Sequence, residues 1–180
     1  IAAGSGTHIA IASDYSAVGG GCNNNIAANS GSATIAGGFG NDIGANSDYS
    51  AIGGGTNNLI QGGSVSATIG GGEGNTIQSY GNYATIGGGY QNEIQSTAQY
   101  AIIGGGRTNE IWFNAHYATI GGGEQNTIQP LAVWATVGGG VQNEIQTAAR
   151  VATIGGGLGN TIQTNALSAT IGGAPSTPSR

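Results

Sequence analysis

Isoleucine or valine recurs every seventeen residues along the chain. If Tyr83 is taken as position 1 of a seventeen-residue unit, position 4 is isoleucine or valine in every copy and position 12 is always isoleucine. Position 10 is asparagine in every copy but the first, which has Thr7. No insertion or deletion interrupts the count, so we predict one repeat domain over residues 1–173. The repeated apolar residues include Ile86, Ile94, Ile103 and Ile111, and the repeated asparagines include Asn75, Asn92, Asn109, Asn126 and Asn143.

The unit favours short strands and tight turns. It is too short for a helical hairpin repeat, and the glycine triplet at positions 5 to 7 would break a helix. Positions 1 to 4 and 10 to 12 each place two inward-pointing residues two apart, the period of a strand. The sequence therefore predicts an all-β fold, a parallel β-solenoid or β-roll of about ten coils and roughly 48 Å in length. Periodicity alone is compatible with either handedness.

The predicted core is thin and built from ladders of identical residues. Each coil adds two aliphatic side chains and small residues at position 2 (Ala67, Ala84, Ala118) and position 16 (Ala98, Ala115, Ala132). We predict that the asparagines of position 10 stack, hydrogen-bond the same residue above and below, and accept unusual backbone angles at a corner. Ligand binding is the alternative role, but nine ladder positions favour the structural one.

Composition narrows the possible partners. Glycine accounts for 38 of 180 residues but falls in register, which indicates ordered corners and not a disordered linker. Charged residues make up 6%, and the net charge is −5, so nucleic acid is not an expected partner. No apolar run is long enough for a membrane helix, and no signal segment opens the sequence. We expect no membrane insertion within this segment.

Both ends of the repeat suggest a connection to something else. Ile1 already occupies position 4, so the sequence starts inside a coil. Residues 174–180 are rich in proline, serine and threonine and are predicted to form a tail or linker. Neither end shows a polar cap, which suggests flanking domains or end-to-end stacking.

Candidate catalytic and metal-binding residues are scattered. His8 and His116 occupy different positions of distant coils, and both are expected to be exposed corner residues. Glu93 and Glu110 share position 11 in adjacent coils at ~5 Å, a glycosidase-like separation, but position 11 has the pattern of a solvated face. We therefore expect no enzyme activity, no metal and no cofactor. Cys22 is the only cysteine, either an incidental thiol or a link to another chain, and an exposed Arg107–Glu124 pair is expected at position 8.

Position 1 is the most distinctive outward position. It holds aromatic residues from Tyr15 to Trp134, interrupted by Ser32 and Ser66 but continuous from Tyr83 onward, beside threonines at position 3 and glycine beyond them; Val151 and Ser168 follow. Contiguous exposed aromatics commonly mark an interface. We predict that this face packs against a sister chain, with stacking on a glycan or another surface ligand as the alternative. The predicted face consists of Tyr83, Tyr100, Tyr117, Trp134, Thr85, Thr119 and Thr136.

The recurring Ala-Thr-Ile-Gly-Gly-Gly followed by Asn-x-Ile resembles longer, glycine-rich relatives of the head repeats of YadA-like trimeric autotransporter adhesins. The segments Ser66-Ala-Thr-Ile-Gly70 and Ser168-Ala-Thr-Ile-Gly172 are similar to the shorter Ser-x-Ala-x-Gly unit of that family. The resemblance implies a left-handed β-roll, three chains side by side, and a place on a bacterial cell surface or a phage-like fibre.

Three functions are compatible with the sequence. The first is an extracellular adhesin or fibre segment, which binds itself as a homotrimer, with a host surface or a matrix glycan or protein as a further candidate partner. The second is a purely structural module that stacks end to end into filaments or a matrix. The third is ice binding by the threonine row, although one threonine per coil is fewer than the two matched ranks that we would expect.

Overall fold

The computed structural model describes residues 4–173 of the chain. Within this range the fold is all-β, without a helix, and every complete coil contributes one two-residue strand to each of two ten-stranded sheets. Positions 11 and 12 of each coil form the strands of sheet 1, and positions 3 and 4 form the strands of sheet 2. The predicted parallel β-solenoid of about ten coils is confirmed.

The strands alternate between the two sheets along the chain. Sheet 1 consists of β1 (His8–Ile9), β3 (Asn25–Ile26), β5 (Asp42–Ile43), β7 (Leu59–Ile60), β9 (Thr76–Ile77), β11 (Glu93–Ile94), β13 (Glu110–Ile111), β15 (Thr127–Ile128), β17 (Glu144–Ile145) and β19 (Thr161–Ile162). Sheet 2 consists of β2 (Ala17–Val18), β4 (Thr34–Ile35), β6 (Ala51–Ile52), β8 (Thr68–Ile69), β10 (Thr85–Ile86), β12 (Ile102–Ile103), β14 (Thr119–Ile120), β16 (Thr136–Val137), β18 (Thr153–Ile154) and β20 (Thr170–Ile171).

Each strand pairs in parallel with the strand seventeen residues away. Glu93 lies opposite Glu110, and Ile94 lies opposite Ile111. Position 8 adds a third row of single-residue parallel bridges, from Ser5 to Leu158. Because all three rows share one register, identical positions of neighbouring coils are stacked directly on one another along the axis.

The core lies between the two sheets and consists of the predicted ladders. Ile86 and Ile94 are completely buried, as are the alanines at positions 2 and 16, such as Ala84 and Ala98. Burying an aliphatic side chain of this size contributes about 2 kcal/mol relative to leaving it exposed. Only the outermost described coils are looser, since Ile9 and Ile171 are partly buried. Each coil is thus stabilised mainly by the coils on either side of it.

The strands are shorter than predicted, because position 1 belongs to a turn. Tyr83 has a φ of 60° and Val151 a φ of 57°, both in the left-handed region. A left-handed residue cannot continue a β ladder, so sheet 2 begins only at position 3. Positions 9 and 15 are also left-handed, as at Gln91 and Thr97. The prediction of unusual backbone angles at the asparagines of position 10 is therefore wrong. The left-handed residues are their neighbours at position 9, which carry the backbone strain.

Buried serines in the N-terminal coils were not predicted. Ser30, Ser47 and Ser64 occupy position 16, where later coils have alanine. The hydroxyl of Ser30 donates to the carbonyl of Gly44 and accepts from the amide of Ser47 in the next coil, at 2.9 and 3.2 Å. This ladder satisfies backbone groups that would otherwise be buried without partners. Ile1 and the tail over residues 174–180 lie outside the described residues.

Candidate interaction surface

Charge is confined to three positions of the coil. Over residues 4–173 every Asp, Glu and Arg lies at position 8, 11 or 17, and positions 1 to 7 contain none. Sheet 1 bears acidic side chains on its outer surface, at Asp42, Glu93, Glu110 and Glu144. Sheet 2 and the glycine corner that follows it are neutral along their whole length. The rod therefore has one uncharged side and a net negative charge on the remainder.

The neutral side consists mainly of threonine and glycine. We call positions 3 to 7 the threonine–glycine strip. Thr85, Thr119 and Thr136 stand half-buried on sheet 2 within it, and the threonine row is interrupted by Ala17, Ala51 and the exposed Ile102. Glycine is required at position 7, because the backbones of neighbouring coils stack closely there. A Cβ added to Gly89, at a φ of 97°, would lie 2.1 Å from the carbonyl oxygen of Gly106.

The predicted asparagines form a continuous ladder beneath this corner. Asn92 Nδ2 donates to Asn75 Oδ1 at 3.1 Å and to the carbonyl oxygens of Gly88 and Gly106 at 3.0 Å. Its backbone amide donates to the same Asn75 oxygen at 3.0 Å. The same contacts recur at each of the five predicted ladder residues, which are fully buried: Asn75, Asn92, Asn109, Asn126 and Asn143. Their amides fix the glycine corner and are not accessible to a ligand.

The tyrosine row, by which we mean the residues at position 1, stands at the rim of the strip. Rings of Tyr83 and Tyr100 have centroids 4.8 Å apart and planes within 5° of each other. Tyr100 and Tyr117 are 4.9 Å apart at 6°, and Tyr117 and Trp134 are 5.7 Å apart at 12°. The predicted aromatic residues are therefore brought together as one stack of four rings running along the rod.

Stacking changes what these rings can bind. Both faces of Tyr100 and Tyr117 are covered by neighbouring rings, so only their edges and hydroxyl groups meet solvent. A sugar stacks on an aromatic face and not on its edge. The geometry of the inner rings does not favour the glycan-stacking alternative at this part of the row.

Hydrogen bonds from glutamines at position 13 to glutamates of the next coil were not predicted from the sequence. Gln95 Nε2, at position 13, donates to Glu110 Oε1 of the next coil at 2.5 Å. Gln78 contacts Glu93 in the same way, and its Oε1 accepts from Ser96 Oγ at 2.9 Å. The recurrence of glutamine at position 13 is the feature of the sequence that could have indicated these hydrogen bonds. Trp112 interrupts the row, and its buried Nε1 has no hydrogen-bond partner among the described residues.

The histidines are not brought together. His8 is exposed on β1, with Nδ1 3.3 Å from Asn25 Oδ1. Half-buried His116 lies in a turn, where its Nδ1 accepts from the amide of Gln99 at 3.3 Å. The expectation of two exposed corner residues is thus wrong for His8, which is on a strand, and for the burial of His116. No cluster of three or more His, Cys, Asp or Glu residues suited to a metal ion occurs in residues 4–173.

The cysteine and the ion pair that were considered as candidate features both lie at position 8. Cys22 is a half-buried free thiol in the bridge row, between Ser5 and Phe39. Arg107 forms an exposed ion pair with Glu124, and the hydrogen bond and charge of that carboxylate raise the pKa of the guanidinium. An exposed pair of this kind adds little stability.

Neither a cleft nor an internal cavity is found between residues 4 and 173. The same range contains no helix capable of crossing a membrane. Comparison with models of known protein families and with curated proteins gives no match to this chain.

Proposed function

We propose that this chain is a non-enzymatic, extracellular fibre segment of the adhesin-like kind, displayed on a bacterial cell or virion surface. The observation that supports this proposal is the unbroken register of ten coils, in which every ladder repeats at seventeen residues. A solenoid of this kind is a stiff rod of roughly 48 Å, suited to holding a binding surface away from its anchor.

The threonine–glycine strip supports side-by-side association of copies. Its five positions at ~3.3 Å per residue and ten coils at ~4.8 Å give about 790 Å² per chain. Stable interfaces bury about 800 Å² per partner. The strip is also the side on which two chains of net charge −5 can approach without bringing like charges together.

Three copies with their strips turned toward a common axis would form the trimer that the YadA-like resemblance implies. The tyrosine row, at the rim of each strip, would then remain at the outer side of the assembly.

The main alternative is a structural filament built by coils stacking end to end. Its supporting feature is that all coils have the same strand register, so any coil edge complements any other. For ice binding, the threonine row is a poor match because Ala17, Ala51 and Ile102 interrupt it.

A mass measurement in solution together with electron cryo-microscopy tests the proposal. We expect a discrete trimer, and we expect Thr119→Glu to dissociate it by placing a charge in the strip. Thr164→Glu is the matched control, because Thr164 is exposed, lies outside the strip at position 14, and has Thr147 and no acidic residue at the same position of the preceding coil. Continuous filaments would favour the structural alternative. A monomer at all accessible concentrations would contradict association through the strip.

A further inference from the structure

The tyrosine row has two distinct halves. Rings occupy every coil from Tyr83 to Trp134, but toward the N-terminus they occupy only alternate coils, where Tyr15, Tyr49 and Tyr83 are separated by Ser32 and Ser66. The exposed fraction of the side chains reflects this difference. Tyr100, inside the stack, is 41% exposed, whereas Tyr49 is 68% exposed. The faces of the Tyr49 ring are therefore open where those of Tyr100 are covered.

Each serine leaves a gap of one ring. Tyr49, Ser66 and Tyr83 have φ values of 59°, 57° and 60°, so their side chains leave the backbone in the same direction. Two coil rises of ~4.8 Å place the ring levels of Tyr49 and Tyr83 about 9.6 Å apart. A six-membered ring inserted midway would lie about 4.8 Å from each tyrosine, a spacing that matches the Tyr83–Tyr100 stack. The gap between Tyr15 and Tyr49, at Ser32, has the same construction.

The gaps are lined by hydroxyl groups and contain no charge. The half-buried Ser66 has a hydroxyl group without a hydrogen-bond partner in the described part of the chain, and the same holds for Ser32. Thr34 and Thr68 stand beside them on sheet 2. An aromatic side chain would use the ring faces but leave the serine hydroxyls unpaired, whereas a sugar ring uses both.

We infer that the gaps at Ser32 and Ser66 each bind one pyranose ring of a neutral glycan, sandwiched between two tyrosines. This inference rests on the proposed surface function and names the chemical class of its ligand. It places sugar binding in the interrupted half of the tyrosine row, on Tyr15, Tyr49 and Tyr83, and not on the continuous stack from Tyr100 to Trp134.

Saturation-transfer NMR on the full chain tests this inference. The probes are neutral tetrasaccharides of β-1,4-linked glucose and of β-1,4-linked N-acetylglucosamine, with a sialylated trisaccharide as the acidic comparison. We expect transfer from tyrosine ring protons to a neutral probe. Tyr49→Ala removes one wall of both gaps and should weaken binding at each gap by roughly two- to tenfold, the loss expected for one ring contact.

Filling the gaps provides the decisive variant. Ser32→Tyr combined with Ser66→Tyr should complete the stack, abolish transfer and leave the melting temperature unchanged or higher. Tyr100→Ala and Val151→Tyr alter only the continuous half and should retain binding. The inference is overturned if no neutral probe receives transfer, if the filled variant still binds, or if Tyr100→Ala loses as much affinity as Tyr49→Ala. Because these measurements do not depend on the oligomeric state, their failure would leave the proposed fibre function to its own test.

Discussion

Asn92 accepts, through its single Oδ1 atom, hydrogen bonds from both the backbone amide and the Nδ2 group of Asn109, at 3.0 and 3.1 Å. One side-chain oxygen thus bridges two coils at a fully buried site, and its own Nδ2 holds two glycine carbonyls. The relationship repeats along the ladder, so each asparagine is both a donor to the coil below and an acceptor for the coil above.

Asn92→Leu should therefore destabilise the rod strongly. The substitution keeps the volume but leaves the backbone amide of Asn109 and the carbonyl of Gly88 without hydrogen-bond partners, at ~1–3 kcal/mol for each unsatisfied group. We expect a loss of at least about 2 kcal/mol in the free energy of unfolding, measured by urea denaturation. Asn114→Leu is the control, because position 15 already contains Leu131. Equal stability of the two variants would contradict the structural role of the ladder.

Ile94→Asp should open the core around its coil. Ile94 has no exposed surface, and an unpaired carboxylate in an apolar ladder costs several kcal/mol. Circular dichroism should show a large loss of melting temperature. Ile11→Asp makes the same change at a side chain that is 84% exposed, so it should shift stability by less than about 0.5 kcal/mol. Unchanged melting of Ile94→Asp would refute the register.

Gly89→Ala should be nearly as damaging as the asparagine change. Its φ of 97° strains any other residue, and the new Cβ would meet the carbonyl of Gly106 at 2.1 Å. We expect a loss of more than about 2 kcal/mol. A Cβ at Gly172 meets no atom within 4 Å, so Gly172→Ala serves as the comparison and should melt normally.

Glu93→Gln should leave stability unchanged or slightly higher. Glu93 lies directly opposite Glu110 in the next strand, and removing one charge relieves their repulsion. Glutamine also retains an oxygen that can accept the hydrogen bond from Gln78. Thermal melting at low and high salt should give a difference between variant and parent that shrinks as salt is added. Loss of a specific catalytic activity in this variant would contradict the non-enzymatic proposal.

Tyr100→Ala should reduce stability moderately, because it removes two ring contacts at 4.8 and 4.9 Å from the middle of the stack. Each contact contributes about 0.5–1.5 kcal/mol, so we expect a loss of roughly 1–3 kcal/mol by chemical denaturation. Tyr15→Ala removes a ring that is 94% exposed and should have no measurable effect. If both variants melt alike, the stack does not contribute to stability.

The fold could be predicted from sequence because its period is fixed by covalent spacing. Ile86 and Ile94 recur without a break, and a chain that repeats every seventeen residues can bury both only by coiling in register. The same argument placed Asn92 in a ladder. Strand length was predicted less well, since left-handed residues are usually glycine or asparagine, and nothing about Tyr83 or Val151 reveals a positive φ.

The surface was only partly predictable. Periodicity placed Tyr83, Tyr100, Tyr117 and Trp134 in one row, but it contains no information on ring orientation. Whether a row of rings offers its faces or its edges depends on side-chain torsions and on the occupants of adjacent coils. Similarly, the hydrogen bond from Gln95 to Glu110 joins neighbouring coils through rotamers that sequence spacing does not determine.

The shared register of sheets, bridges and ladders has a consequence for how such a protein can change over generations. Deleting or duplicating one whole repeat removes or adds a complete set of matched contacts and leaves every other pairing intact. Recombination between tandem copies of the coding sequence can therefore shorten or lengthen the rod in steps of ~4.8 Å without redesigning its interior. The length of the rod is therefore a heritable property, which selection can adjust separately from the ligand that its surface binds.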